Sequence, residues 1–145
     1  MKRAIRKIWQ SHSGASAVEF ALVAPVFFLM LFGMIELGRL LWTSHALHDT
    51  AIATARCMGI PQTECEDGGA YSASKAAAFA RSTAVGWFVG LDAASVTLDH
   101  DASCHGLDGF SQVKITYQFI TVVPDLLMSL SGGTNLTADA CYTNH

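Results

Sequence analysis

A long uncharged run near the N-terminus constrains this chain of 145 residues more than any other feature. Phe20 to Ile35 reads FALVAPVFFLMLFGMI, and extension to Trp42 gives about 34 Å of helix at about 1.5 Å per residue, which can span a bilayer. A helix packed at the surface of a domain has a polar face, whereas this run is apolar on every face. The run therefore predicts a membrane helix in preference to a buried core helix. Gly33 and Gly38 leave small surfaces where a second helix can approach.

Charge is distributed unevenly on the two sides of this run. Four of the nine Lys and Arg residues lie within the first seven positions, whereas the region from Asp49 onward has four basic residues against ten acidic ones. Basic flanks of membrane helices stay in the cytoplasm, so we expect the N-terminus inside and residues 43–145 exported. Export places that domain where disulfides form. With 14% charged residues and a net charge of -3, the chain has no basic surface typical of nucleic-acid binding.

A cleavable secretory signal also begins with basic residues, so a secreted enzyme or binding module is an alternative. Signal peptidase cuts close behind a shorter apolar segment, at an A-x-A-like triplet. Here the nearest such triplet is Ala51-Ile52-Ala53, well past Glu36 and Arg39. The spacing therefore disfavours ordinary secretion.

The junction before the apolar run carries the most informative motif. Gly14 and Ala15 follow the basic leader, and Glu19 lies immediately before the run. A carboxylate in a membrane helix costs about 2.5 to 3.5 kcal/mol at the bilayer centre and less near an edge. Glu19 is therefore either solvated among the lipid headgroups or paired. Removal of residues 1–14 would create such a partner, the α-amino group of Ala15, on the same chain or on a neighbouring helix.

This junction resembles the processing site of type IV prepilins and pseudopilins, where a membrane-embedded aspartyl peptidase cuts after Gly and leaves Glu as the fifth residue. The blocks AVEFAL, from Ala17 to Leu22, and ELGR, from Glu36 to Arg39, are similar to the TadE-like family of the tight-adherence (Tad or Flp) pilus system. The resemblance implies cleavage between Gly14 and Ala15 and a role for Glu19 in the register between subunits. It also implies a non-enzymatic minor pseudopilin that takes part in pilus assembly.

The same resemblance implies a set of partners and a location. The expected partners are prepilin peptidase, other pilins and minor pseudopilins, the inner-membrane assembly machinery and membrane lipid, without nucleic acid or a cofactor. The expected segments are a cleaved leader over residues 1–14, an assembly helix over 15–42 in the bacterial inner membrane, and an exported domain over 43–145. Incorporation into the pilus is compatible with this arrangement. The alternative is an uncleaved single-pass membrane protein with a periplasmic accessory or sensor domain.

Three residues mark the outer end of the predicted span. Glu36 and Arg39 are three positions apart, so they can form an ion pair on one helix face. Two interfacial charges with little energy between them are at least as good an interpretation as a contact between subunits. Trp42 is typical of the aromatic belt at a membrane surface.

The exported region predicts a small α+β domain. The long helix continues over His45 to Met58 and stops at Gly59-Ile60-Pro61. Periodicity then predicts a second helix over Ser72–Val85, strands over Ser95–Asp99, Gln112–Thr121 and Asn135–Cys141, and a short helix or turn over Pro124–Leu130. The fold class is therefore α+β, with a membrane-spanning helix that continues into a pilin-like domain with a roughly three-stranded antiparallel sheet.

Four cysteines in an exported domain indicate two disulfides, for which three connectivities are possible. We favour Cys57 with Cys65 and Cys104 with Cys141. A metal site is the alternative, because Asp99-His100-Asp101 and Cys104-His105 lie within seven positions. This segment has no paired C-x2-C motif and places Cys104 where a calcium loop needs Gly, so we expect a polar loop and no metal.

Overall fold

The computed structural model describes residues 13–60, 62–121 and 134–144. These residues form two helices, α1 and α2, and five strands, β1 to β5. A 3-10 turn over Ala93–Ser95 precedes β3. The chain divides into two units between Leu37 and Gly38, so that α1 begins in the first unit and ends in the second. The bounds are Ser13–Gly59 for α1, Glu66–Asp67 for β1, Ala70–Tyr71 for β2, Ala73–Gly86 for α2, Val96–Cys104 for β3, Leu107–Gln118 for β4 and Asn135–Thr143 for β5.

The first unit consists of the N-terminal part of α1. Between Ser13 and Leu37 its sequence has four Ala and four Leu, which are good helix formers, together with four Phe and three Val, which are weaker ones. The helix continues through Pro25, although proline cannot donate the usual backbone hydrogen bond. By length and composition, α1 can cross a membrane.

The second unit packs the C-terminal part of α1 and all of α2 with a three-stranded antiparallel sheet of order β3-β4-β5. The central strand is β4, in which Val113 pairs with Leu98 of β3 and Ala140 of β5. Along β4, Val113 and Ile115 are buried, whereas Lys114 and Thr116 are exposed. This alternation agrees with the half-buried strand that the sequence predicts.

Small side chains from both helices occupy much of the core. Ala46, Ala51 and Ala55 of α1 share one buried cluster with Ala76 and Ala84 of α2. Because an alanine ends at its Cβ, rows of alanine let helices and sheet pack closely. The larger members of the cluster include Leu47, Met58, Val113 and Ile115.

Two threonines on the buried face of α1 are polar exceptions. The hydroxyl of Thr50 donates to the carbonyl of Ala46 and that of Thr54 donates to the carbonyl of Thr50, each at 2.7 Å. Both side chains are fully buried. The intrahelical bonds satisfy the hydroxyls, so the core accepts them without an unpaired polar group.

Both favoured disulfides are present in the structure. The Cα atoms of Cys57 and Cys65 are 5.9 Å apart, and those of Cys104 and Cys141 are 6.6 Å apart. The first links the end of α1 to the segment before β1, and the second links the end of β3 to β5. The described residues contain no free cysteine.

The fold class is confirmed, with some differences in the strands. The polar segment 99–105, expected as a loop, instead continues β3 to Cys104, with register irregularities between Asp99, Ala102 and Cys104. The short β1-β2 hairpin was not predicted; its turn uses Gly68 and Gly69 at positive φ. The helix or turn predicted over Pro124–Leu130 and the stop residue Pro61 lie outside the described residues.

Candidate functional site

The N-terminal part of α1 exposes nearly all of its large apolar side chains. From Val18 to Ile35 these side chains are between 39% and 72% exposed. An apolar surface this continuous is not stable in water, because monomeric soluble proteins rarely expose more than a few hundred Å² in one patch. The surface therefore requires lipid or another apolar partner. The exposed apolar helix is therefore compatible with anchoring of the protein in a membrane.

Aromatic rings cover part of this surface. Phe28 contacts Phe27 edge to face at 5.6 Å between ring centroids and stacks on Phe32 at 6.1 Å. Further along the helix, a Cβ atom added at Gly38 would meet no described atom within 4 Å. Gly38 is thus open to a neighbouring molecule.

The predicted cleavage junction lies in the first described turns of α1. Gly14 is helical and exposed, and a Cβ atom there would meet none of the described atoms within 4 Å. Glu19 is exposed on the same helix. Residues 1–12 and the side chain of Ala15 lie outside the described part of the chain. Positions 15 and 19 are one turn apart, so an amino group on Ala15 and the Glu19 carboxylate would be neighbours.

The residues predicted for the outer interface have different environments. Glu36 is only 3% exposed. The guanidinium of Arg39 lies over the ring of Phe119, 5.4 Å from its centroid, in a cation-π arrangement. Trp42 is 53% exposed.

Trp42 belongs to an aromatic cluster that the sequence alone did not indicate. Its ring packs edge to face on Trp87 at 5.5 Å between centroids, and its indole nitrogen donates to the Trp87 carbonyl at 3.3 Å. The ring of His45 also packs on Trp87, at 6.2 Å. The three residues bring the end of α2 next to α1. The only signal in the sequence is the motif GWF at positions 86–88.

A polar cluster ties the end of the chain to the sheet. The buried Ser111 hydroxyl donates to Oδ1 of Asn144 at 2.6 Å and lies 2.9 Å from Nδ1 of His100. A hydroxyl has one proton, so Nδ1 of His100 is the donor in this second bond. Asn144 completes the ring of contacts by donating from Nδ2 to the His100 carbonyl at 2.5 Å. Ser111 is fully buried and bonds to both partners, so the cluster links β3, β4 and the residue after β5.

Tyr71 lies against this cluster and beside a cavity. Its ring stacks on His100 at 4.4 Å between centroids. Burial, followed by the negative charge of Asp99, raises the pKa of Tyr71 above its usual value of 10.0. The cavity of about 200 Å³ also borders Cys57 and Cys65.

Residues 99–105, the alternative metal site, do not form a cluster of ligands. Cys104 is bonded to Cys141, so it offers no thiolate. Asp99 and Asp101 are exposed, and His100 stacks on Tyr71. Within residues 13–60, 62–121 and 134–144, no group of three His, Cys, Asp or Glu side chains could hold a metal ion.

The described residues therefore define a class of protein in which one membrane-compatible apolar helix continues into a disulfide-linked α+β domain. Residues 14–56 match the family model described as TadE-like protein. This match confirms the resemblance of this segment to the TadE-like family of the Tad pilus system. The matched segment contains the junction motif, the apolar run and the Glu36-to-Arg39 block. No curated protein and no solved structure matches the chain.

Proposed function

We propose that this protein is a minor pseudopilin, a non-enzymatic structural subunit that takes part in assembly of a Tad pilus after cleavage between Gly14 and Ala15. The observation that carries the proposal is the TadE-like match over residues 14–56. The match begins at Gly14, the residue that would precede the cut, and continues through the exposed apolar helix. The proposed protease is a prepilin peptidase of the inner membrane.

The exposed apolar surface of α1 supports helix packing as the mode of assembly. In the membrane before assembly, lipid would cover the side chains from Val18 to Ile35. In a pilus or its base, neighbouring pilin helices would replace the lipid. Gly38 offers a position where a second helix can approach without meeting a side chain.

Glu19 is the proposed register residue. Cleavage would remove the four leader cations and create an α-amino group at Ala15, one helical turn from Glu19. A carboxylate among apolar helices is costly unless it is paired, and loss of one partner of a buried pair costs about 3 to 5 kcal/mol. Alignment of Glu19 with the amino group of a neighbour would therefore favour one axial position over the others.

The exported domain would present the surface that meets other minor subunits or the assembly machinery. In the periplasm, its two disulfides would form under oxidising conditions. The basic leader supports an orientation with the N-terminus in the cytoplasm and residues 43–145 outside.

The proposal is tested by mass spectrometry of the protein extracted from its native membrane. We expect the mature chain to start at Ala15 in cells with the peptidase and at Met1 in cells without it. A Gly14→Val variant should remain uncut. Gly90→Val is the matched control, because among the described residues neither position has an atom within 4 Å of an added Cβ.

Two outcomes would contradict the proposal and identify the alternatives. A chain that still starts at Met1 in peptidase-positive cells would indicate an uncleaved membrane protein with a periplasmic accessory or sensor domain. A soluble product that starts beyond Trp42 would indicate a secreted module released by signal peptidase.

A further inference from the structure

The turn after α2 carries a second exposed apolar surface, which we call the aromatic turn: residues 85–88, with sequence VGWF. Phe88 is 95% exposed, and Val85 is also well exposed. The chain has no charged residue between Arg81 and Asp92. The aromatic turn thus differs from a typical solvent-facing helix end, which is polar.

The backbone of this turn makes the choice of Phe88 unusual. The amide of Phe88 donates to the carbonyl of Val85 and that of Val89 to the carbonyl of Ala84, each at 2.9 Å. These are the two bonds of a Schellman motif, which normally has Gly in the left-handed position. Here that position belongs to Phe88, with φ of 63°. A bulky residue is unfavourable in this conformation, and its ring makes little contact within the described domain.

The contact between Trp87 and Trp42 places the aromatic turn next to the end of the predicted membrane span. Trp42 is the last residue of the predicted span, at the position typical of the membrane interface, and its indole nitrogen donates to the carbonyl of Trp87. Trp87 is therefore within one hydrogen bond of the end of the span. Phe88 follows Trp87 in the chain, so its Cα atom lies within about 4 Å of that of Trp87. Leu41, beside Trp42, is exposed as well and extends the apolar surface.

We infer that the aromatic turn is a second membrane contact, in which Trp87 and Phe88 insert into the interfacial zone of the outer leaflet. The occupant of this surface is lipid, because the surface is continuous with Trp42, contains no charge and presents the residue types found at bilayer interfaces. The contact would hold the exported domain against the membrane before assembly. The inference rests on the membrane insertion of α1 in the proposed function, but not on cleavage or on a role in a pilus.

Depth-dependent fluorescence quenching tests this inference in the full-length chain. The protein is reconstituted into phosphatidylethanolamine and phosphatidylglycerol vesicles that contain lipids brominated near the headgroup end of the acyl chains. The reporter is Phe88→Trp, with Trp9, Trp42 and Trp87 each replaced by Phe. The control reporter is Leu107→Trp in the same background. Leu107 is also exposed and apolar. It is the first residue of β4, at the opposite end of the strand from Phe119, which packs on Leu40 of the predicted span. Leu107 is therefore far from the predicted membrane surface.

We expect loss of emission from the Phe88→Trp reporter and unchanged emission from the Leu107→Trp reporter. Equal emission from the Phe88→Trp reporter with brominated and ordinary lipids would overturn the inference. Equal quenching of both reporters would also overturn it, because the effect would not be specific to the turn. Quenching that requires a second pilin in the vesicle would assign the surface to a protein partner instead.

A third reporter separates this inference from the proposed function. A chain with only Trp42 retained reports whether α1 itself inserts. If Trp42 is quenched and the Phe88→Trp reporter is not, only the aromatic turn has been assigned wrongly. If neither is quenched, the membrane insertion required by the proposed function fails. Circular dichroism of each variant confirms that the domain is folded.

Discussion

Gly59 marks the point where the end of α1 meets the end of the sheet. A Cβ atom at this position would lie 2.7 Å from the carbonyl oxygen of Thr143 and 2.8 Å from Cδ1 of Tyr142. The sequence predicts the same residue as a helix terminator, and α1 does end there. The structure adds a second reason for glycine, which is the close approach of β5.

Replacement of Gly59 by Ala should therefore destabilise the domain. The backbone of β5 would have to move, and overpacking of this kind costs about 1 to 3 kcal/mol. Gly86→Ala is the matched control, because it lies at the end of α2 and its added Cβ would meet no described atom within 4 Å. Chemical denaturation of both variants measures the difference. Equal stability of the two would show that β5 does not pack on Gly59.

At Phe88, in contrast, replacement by glycine should stabilise the domain. Phe88→Gly places glycine in the left-handed position of the Schellman motif and removes an exposed ring, so we expect a gain of about 1 kcal/mol in detergent solution. Trp87→Gly should destabilise the domain, because that ring packs on Trp42 and His45. Thermal unfolding followed by circular dichroism compares the two. A lower midpoint for Phe88→Gly would assign its ring a packing role.

Tyr71 links stability to pH through its environment. Burial and the charge of Asp99 raise its pKa in the folded state, so folding favours the protonated phenol. Its contribution is complete below the unfolded pKa, near 10, and is lost as pH rises through the folded pKa. In Tyr71→Phe this loss should be absent. Denaturation between about pH 9 and 11 measures it; an identical pH dependence in both proteins would contradict the assignment.

Among the elements, the two disulfides close loops of different length. The sequence separation is 37 residues for Cys104–Cys141 and 8 for Cys57–Cys65. The loop-entropy model assigns about 4 kcal/mol to the longer loop and about 2.5 kcal/mol to the shorter one. We expect the Cys104→Ala, Cys141→Ala pair to lose more stability than the Cys57→Ala, Cys65→Ala pair. Denaturation midpoints compare the two; a larger loss from the short loop would indicate that packing around the cysteines dominates.

Elements that are set by a local sequence pattern were predicted, whereas those that depend on contacts between distant parts of the sequence were missed. Strand β4 was predicted because Val113, Ile115 and Tyr117 alternate with polar residues, a pattern set by burial of one face. The extension of β3 was missed because Asp99 and Asp101 occupy its exposed face, so the segment has the composition of a loop. A strand at the sheet edge needs only its pairing with β4, which local composition does not reveal.

Long-range contacts explain what was missed at the candidate site. The apolar run and the junction motif are local features, so the sequence alone reveals both. The Trp42–Trp87 contact joins residues 45 positions apart, and no local pattern indicates it. The polar cluster likewise depends on Asn144 reaching His100 across 44 positions.

For the whole molecule, the proposed function requires one helix sequence to serve two environments in succession, lipid and then neighbouring helices. A long apolar run without polar gaps is sufficient for insertion in lipid, but it specifies no unique axial position against neighbouring apolar helices. Glu19 is the polar residue that can break this degeneracy at the N-terminal end of the run. Insertion and assembly should therefore respond differently to its loss.

We expect Glu19→Ala to insert in the membrane at wild-type levels and to reduce assembly. Insertion should persist because the apolar run is unchanged, whereas register would lose its charged partner. Glu64→Ala is the control, because Glu64 is an exposed acid in the second unit. Membrane fractionation measures insertion, and the amount of the protein recovered with sheared pili or the assembly complex measures the second step. Recovery of Glu19→Ala at the wild-type level would remove the proposed register role while leaving membrane insertion intact.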